Sequence, residues 1–317
     1  MKILLFTHEQ DIDGMGSVIV GNVAFDNLEY VPCKTFEIDS NFKEYLDNKK
    51  IYDYDLIFVT DLCLHEPLLS IIAGDDILRK RVLVLDHHKT EAVNNKYDFV
   101  NIILECSKGS ASGTYLFYEY LIKNNYLNSF PILDELVELT RQYDTWEWVK
   151  FNNKKARMLH LLFEQVGYKR YLDIMSDIIS CNDSIVFSDK ELNIINDWEE
   201  KFKIDSKKIL DSMIVYSLFI NNIEYKVGYI YTEYKYRNDF SELIRDNNIN
   251  DIDLVGMFYP NMDVVSYRGV KDVDVSIVPT YFGGKGHRGA GTNPVNNDKF
   301  KDVLDKVVSK WNVLIKS

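Results

Sequence analysis

Long apolar runs, an excess of base over acid and patterned cysteines are all missing from this 317-residue chain, and each absence removes a class of function. No stretch approaches the ~18 consecutive apolar residues that a membrane span needs. The N-terminal run Ile3-Leu4-Leu5-Phe6 is too short for a signal-peptide core and leads at once into charged residues. Cys33, Cys63, Cys106 and Cys181 are scattered without metal or redox spacing, so they are expected to be reduced and buried. These absences point to a cytoplasmic protein with no membrane partner. Lys and Arg total 37 against 49 acids, a net charge of −12, and no dense basic run occurs. A protein that tracks long nucleic acid needs a basic face to release counterions, so that partner is disfavoured. A short phosphorylated substrate is still permitted, because a local site can hold one or two phosphates.

Hydrophobic residues make up 46%, enough for real cores, and the length suggests about two domains. The most informative stretch is Leu83-Val84-Leu85-Asp86-His87-His88-Lys89-Thr90, an apolar strand-like run that stops in a carboxylate and two imidazoles. Packing gives a buried strand no reason to end that way. In an open α/β sheet, ligands sit at the carboxyl ends of the strands, and Asp with His suits manganese, zinc or iron. Two further strands end similarly. Lys2–Thr7 runs into His8-Glu9-Gln10-Asp11-Ile12-Asp13-Gly14-Met15-Gly16, and Leu56–Thr60 runs into Asp61. Helix capping accounts for one aspartate near position 11; two carboxylates and a histidine within six positions exceed it. Gly14 and Gly16 fit a tight turn before a helix over Val18–Phe25. In a parallel sheet all three strand ends share one edge, so their side chains converge.

Residues 107–114, rich in serine and glycine, precede a helix to about Lys123; its N-terminus offers caps or an anion site. Pro131 opens another helix, which runs into Arg141-Gln142-Tyr143-Asp144-Thr145-Trp146-Glu147-Trp148. Asp144 among aromatics is costly to bury unless paired or metal-bound. The pattern stays helical from Lys154 to about Leu210, then changes to a hairpin over Ile214–Tyr231 with Asn221-Asn222 at its turn. A helix near 241–247, strands over 254–259, 264–268 and 273–278, and a closing helix over 298–315 complete a small α+β domain. The expected organisation is a first domain over 1–187, a connector helix over 188–212 and a second domain over 213–317. One stretch of the second domain stands out: Gly283-Gly284-Lys285-Gly286-His287-Arg288-Gly289-Ala290-Gly291 holds five of the 15 glycines. Glycine-dense loops bare N–H groups that bind phosphate, and Lys285, His287 and Arg288 would add charge-assisted donors.

These motifs, in this order, resemble those of the DHH phosphoesterase superfamily over nearly the whole chain. The branch they are most similar to is that of small oligoribonucleases (nano-RNases) and cyclic-nucleotide phosphodiesterases. Val265-Ser266-Tyr267-Arg268 adds a likeness to the strand before the glycine loop in the DHH-associated domain. The resemblance implies a parallel sheet flanked by helices, a linker helix and a smaller C-terminal α+β domain, with the active site in the cleft between domains. It implies two Mn²⁺ ions, with Mg²⁺ or Co²⁺ as substitutes. His8 and Asp11 would hold one ion; Asp13, His87 and Asp144 would hold the other; Asp61 would bridge them. Asp86 would orient an imidazole, and His88 would face the substrate phosphate. Ser266, Arg268, Gly284, Gly286, His287 and Arg288 would grip the substrate. The chain departs from the family in the two residues, Glu9 and Gln10, that separate His8 from Asp11. Lys285 also stands where a glycine is common, and Gly291-Thr292 replaces the usual ending.

The chemistry agrees. Phosphodiester hydrolysis needs hydroxide at neutral pH and relief of phosphoryl charge, and two ions ~3.5–4 Å apart supply both. Asp11, Asp13, Asp61, Asp86 and Asp144 in one cleft could not all stay ionised unaided, since like charges raise one another's pKa. Tyr267, Tyr281 or Phe282 are candidates to stack a base, while Trp146 and Trp148 are expected to pack around Asp144. His65 and His160 read as ordinary polar or half-buried residues. The expected activity is release of nucleoside monophosphates from short oligoribonucleotides or small cyclic nucleotides. A non-catalytic nucleotide sensor and a pyrophosphatase or exopolyphosphatase are the alternatives. RNA against DNA, cleavage polarity and oligomeric state, a homodimer included, stay open.

Overall fold

The computed structural model describes residues 1–247, 249–259 and 262–314, without the side chains at 246, 250, 287 and 310–314. It divides into two compact units, Met1–Trp198 and Glu199–Ser317. Among the described residues no helix is long and apolar enough to cross a membrane.

The first unit contains β1 (Ile3–His8), α1 (Ile12–Ala24), β2 (Leu28–Cys33), α2 (Ile38–Asp47), β3 (Leu56–Thr60), α3 (Glu66–Gly74), α4 (Leu78–Arg81), β4 (Val82–Asp86) and β5 (Val100–Ile102). A small hairpin, β6 (Glu105–Cys106) and β7 (Gly109–Ser110), leads into α5 (Gly113–Lys123), α6 (Pro131–Asp144), α7 (Glu147–Lys150) and α8 (Lys154–Cys181). The sheet is parallel throughout, in the order β2-β1-β3-β4-β5. Strands β1, β3 and β4 are continuous apolar runs because helices cover both faces. On one face Phe6, Ile57, Val59 and Val84 pack with Phe42 of α2 and Leu69 and Ile72 of α3; α1 and α5 pack together against the sheet, with α6 and α8 beside α1. With β1 beside β3, the connections leaving their carboxyl ends run to opposite sides of the sheet, which opens a crevice there.

Helix α9 (Asp189–Asp211) spans the division between the units. The second unit has β8 (Ile214–Ile220), β9 (Ile223–Tyr231), α10 (Arg237–Asp246), β10 (Leu254–Phe258), β11 (Val264–Gly269), α11 (Ile277–Tyr281), β12 (Lys285–His287), β13 (Ala290–Pro294) and α12 (Lys301–Leu314). Its six strands follow the order β12-β13-β11-β10-β9-β8, with only β9 and β10 parallel.

Several expectations need correction. The first helix starts at Ile12, so Gly14 and Gly16 lie inside it and not in a turn. They are small because neighbours crowd them: a Cβ on Gly14 would stand 1.9 Å from the His8 carbonyl oxygen, and one on Gly16 2.5 Å from Thr114 Oγ1. The strand expected over Val273–Val278 is a turn followed by α11. There Asp274 Oδ1 accepts from the Ser276 N–H and hydroxyl, and Pro279 sits early in the helix. Local side-chain bonding overrides the β-branched run. The glycine stretch pairs as the β12–β13 hairpin instead of forming an open loop. Its glycines allow strand contact, since a Cβ on Gly284 would meet Thr292 O at 2.0 Å, and the Gly284 N–H already donates to Pro279 O. Cys33 and Cys63 are buried as expected, but Cys106 is half-buried and Cys181 exposed. The closing helix expected to reach Ile315 is described to Leu314; Ile315 lies outside the described residues. Strands β2 and β5 were not anticipated.

Because the Gly14 contact is backbone against backbone, Gly14→Ala is expected to destabilise the first unit by about 1–3 kcal/mol. Urea unfolding of the full chain checks this; an unchanged midpoint would mean that α1 can move away from β1.

Candidate metal centre

Each strand end delivers its side chains for a local reason. His8 is the last residue of β1, and Asp11 is the N-cap of α1, its Oδ1 accepting from the Gly14 N–H at 3.0 Å. His8 Nδ1 lies 2.7 Å from Asp11 Oδ2 and 3.8 Å from Asp61 Oδ2. Asp61 follows β3 with φ +58, a left-handed conformation. Such a conformation costs energy in a non-glycine residue and persists where its surroundings enforce it. The surroundings are tight: its N–H donates to Leu85 O, and a Cβ on Gly113 would meet Asp61 Cβ at 2.5 Å.

Asp13, fully buried in the first turn of α1, accepts from the N–H groups of Gly113 at 2.6 Å and Thr114 at 3.0 Å. The N-terminus of α5, capped by Ser112, therefore does hold an anion, but an internal one. Unpaired N–H groups and the helix dipole both favour a carboxylate there.

At the end of β4, buried Asp86 accepts from the His87 N–H at 2.8 Å and sits 2.7 Å from His88 Nδ1. His87 Nε2 reaches Asp61 Oδ1 at 3.2 Å, Asp144 Oδ2 at 3.5 Å and Asp13 Oδ2 at 3.7 Å. Asp144 ends α6, and buried Arg141 one turn earlier anchors that helix end. The Arg141 guanidinium donates to Glu138, to Glu147 and to the Ser110 carbonyl. Thus α6, α7 and the β6–β7 hairpin before α5 share one buried cation.

The result is three overlapping groups: His8, Asp11 and Asp61; Asp13, His87 and Asp144; and Asp61, Asp86, His87 and His88. In each, the potential ligand atoms lie within 4.8 Å of one another. A cavity at this edge is lined by His8, Asp11, Asp61, Asp86, His88 and Asp144. The donor set fits divalent cations, combining carboxylate oxygens with imidazole nitrogens. Two buried atoms, His8 Nε2 and Asp86 Oδ2, have no hydrogen-bond partner, and such atoms are rare unless something else satisfies them.

Electrostatics describes the same congestion. Burial, then the charges of Asp13 and Asp11, push the Asp61 carboxyl well above the usual carboxylate range. Burial and Asp13 raise Asp144 to about 7. Burial works against ionised Asp11 too, but the His8 hydrogen bond and charge outweigh it and hold Asp11 at about 2. Burial opposes the charged imidazole of His88, yet its bond to Asp86 and the Asp61 charge raise it to about 9. His8 and His87 are raised against burial by Asp11 and by Asp144 with Asp13, respectively. Asp86 is lowered against burial by His88.

In the second unit Arg288 Nη2 pairs with Asp272 at 2.7 Å, both residues exposed. Arg268 Nη1 donates to Tyr267 O, and Ser266 is buried on β11. The side chain of His287 lies outside the described residues. Tyr267 and Phe282 are buried in the core and cannot stack a base as they stand; Tyr281 is exposed. Trp148 is buried and Trp146 is partly exposed beside it. His65 is exposed and pairs with Asp39. His160, expected to be half-buried at most, is buried and stacks on Tyr143 with centroids 4.1 Å apart. Arg141 has one partner in its own helix, Glu138, but Glu147 and the Ser110 carbonyl lie on other elements, as does the Tyr143 ring that stacks on His160, so the sequence gives no local sign of either arrangement.

Residues 2–140 match the DHH family, N-terminal domain. This part of the chain is a DHH family domain. The oligoribonuclease NrnB of Bacillus subtilis (strain 168) is 28% identical over 301 residues, covering 94% of this chain and 74% of NrnB. The pGpG-specific phosphodiesterase PggH from Vibrio cholerae is similar in fold, with a TM-score of 0.56 at 12% identity over 98% of this chain and 99% of PggH. The exonuclease RecJ, in a crystal structure bound to manganese, gives a TM-score of 0.59 at 11% identity over 96% of this chain and 89% of RecJ.

The pKa directions predict how the metal-free protein responds to pH. Asp61 and Asp144, raised above 3.8, stabilise the fold fully below that value and progressively less as pH climbs through their folded values, about 7 for Asp144. His88 contributes fully below 6.5 and loses its contribution as pH rises through about 9. Asp11 acts oppositely, but its contribution fades only as pH falls from 3.8 through about 2. Between about pH 5 and 9 the Tm in chelator is therefore expected to fall, and any gain from an added divalent cation to widen. Thermal unfolding across that range checks both; a flat chelator profile contradicts them.

Proposed function

We propose that the chain is a manganese-dependent phosphodiesterase that cleaves short oligoribonucleotides or small cyclic nucleotides to nucleoside monophosphates. One observation carries this reading: the carboxylate and imidazole groups of three strand ends and of the α6 terminus meet as overlapping ligand-spaced clusters. The likeness to NrnB and PggH, whose names state such activities, supports the substrate class.

In this reading His8, Asp11 and Asp61 hold one cation, Asp13, His87 and Asp144 hold a second, and Asp61 is shared. Bound divalent ions lower the pKa of water from about 15.7 to about 7 and neutralise phosphoryl charge. The chain's own groups do the rest. The α5 N-terminus keeps Asp13 seated with a fixed carboxylate direction. Asp86 stands behind the ligands and fixes His88 through Nδ1, which leaves Nε2 for the phosphate. His88 is well placed for that contact because its side chain is 54% exposed while its neighbours are not. Carried as imidazolium up to about pH 9, it donates a charge-assisted hydrogen bond to a phosphoryl oxygen. The resemblance assigns further substrate contacts to Ser266, Arg268, Gly284, Gly286, His287 and Arg288 of the second unit. A cytoplasmic location and a short nucleotide as the partner complete the proposal.

The test is turnover of pGpG, a cyclic dinucleotide and pyrophosphate with Mn²⁺ or chelator. Metal-dependent release of mononucleotides is expected, with Asp13→Asn and His87→Ala at the metal-free background. Asp86→Asn, acting through His88, is expected to lose about 10–100-fold. Hydrolysis of pyrophosphate alone would move the assignment to the polyphosphate branch, and nucleotide binding without turnover would make the protein a sensor.

A further inference from the structure

One side chain beside the carboxylate–imidazole cluster has no work in the fold. Strand β2 pairs with β1 so that Cys33 lies opposite His8, and the Glu9 N–H donates to Cys33 O at 3.0 Å. The chain leaving β2 therefore starts at the same sheet edge as His8. It turns at once: the Glu37 N–H donates to Lys34 O at 2.8 Å, and Glu37 Oε2 accepts from the Lys34 N–H at 3.3 Å. Thr35 and Phe36 are the two central residues of that turn. Thr35 lines the cavity that also takes in His8, Asp61, His88 and Asp144.

Phe36 is 78% exposed, and no large apolar side chain among the described residues is more so. Turn positions are dominated by Gly, Pro, Asn, Asp and Ser, so the turn does not ask for a phenyl ring. Packing does not ask for it either, because Ile38 and Phe42 already bury α2 in the first unit's core. Its surroundings hold the turn in place. The Lys34 ammonium lies 5.9 Å from the centre of the Phe36 ring, 3.4 Å from Glu37 Oε1 and 4.0 Å from Glu9 Oε1, which ties the turn to the residue after His8. An uncovered aromatic ring next to a cavity walled by imidazoles and carboxylates joins the two surfaces a nucleotide needs. Polar groups serve its phosphate, and a flat apolar face serves its base.

We propose that Phe36 is a base-stacking residue of this cavity, carrying the base of the nucleoside whose phosphate is held at the cluster. The proposal rests on the phosphodiesterase reading for the position of that phosphate. It supplies from the first unit a platform that Tyr267 and Phe282, buried in the second, do not offer. A lone phenylalanine after a strand belongs to no motif; its exposure at this edge is what marks it.

Specificity constants of the full chain with Mn²⁺ test it, with pGpG and an abasic analogue of the same sugar-phosphate backbone as substrates. Phe36→Ala is expected to lower the ratio of kcat/KM for pGpG to that for the analogue about tenfold, mainly through KM. Phe36→Trp, which keeps a flat ring, should restore the ratio, and Phe36→Leu should not. An unchanged ratio overturns the stack, as does a loss that both substrates share equally, which marks a purely structural role. Calorimetric titration with guanosine 5′-monophosphate and with inorganic phosphate is run separately, so that the stack and the enzyme reading can fail independently. Monophosphate binding that weakens in Phe36→Ala and returns in Phe36→Trp, in a protein without turnover, upholds the stack and overturns the phosphodiesterase. Turnover of pGpG with a ratio indifferent to Phe36→Ala overturns the stack alone. No turnover, together with equal monophosphate affinity in wild type and Phe36→Ala, overturns both.

Discussion

Mutual repulsion among Asp11, Asp13, Asp61, Asp86 and Asp144 at one sheet edge is the constraint from which the first unit's architecture follows. Three of the five carboxylates have their own compensation. Asp13 sits on the amide groups of α5, Asp11 is paired with His8, and Asp86 with His88. Asp61 and Asp144 are left with the largest unrelieved cost, and both are pushed toward the neutral form. Those two also touch both sides of the cluster through His87, so cations placed there relieve the whole set.

That arrangement needs rigid mounts. The crevice between β1 and β3 receives Asp61 in a left-handed conformation, wedged against Gly113. Gly113 belongs to the same α5 terminus that seats Asp13, so one helix end positions two carboxylates at once. Behind Asp144, Arg141 joins α6 to α7 and to the hairpin before α5. A buried cation satisfied on several sides makes that junction costly to deform. The mounts are therefore linked through packing and hydrogen bonds rather than through the clustered carboxylates and imidazoles alone.

Much of this was legible in the chain. Three apolar strands ending in acids and imidazoles announced a parallel sheet with those groups at one edge, and Asp13, Asp61, His87 and Asp144 do lie together. The period change near Met213 marked the second sheet. Legibility failed where long-range contacts decide. The short run Val273–Val278 gave way to the Asp274 turn, and Gly14 entered a helix because the His8 carbonyl leaves no room for a side chain. The glycine stretch paired with itself, and Tyr267 disappeared into the core.

By itself the sequence determined which residue types stand at which strand ends, and hence that negative charge and imidazole would collect at one edge. It determined this because a strand's direction and its apolar run are local properties. Tertiary structure alone decided which carboxylate is seated on a helix terminus, which is pushed toward the neutral form and which imidazole is left open to solvent. Those outcomes depend on distances between residues a hundred or more positions apart, such as Asp13 and Gly113, and Coulomb and desolvation energies follow distance in space rather than along the chain.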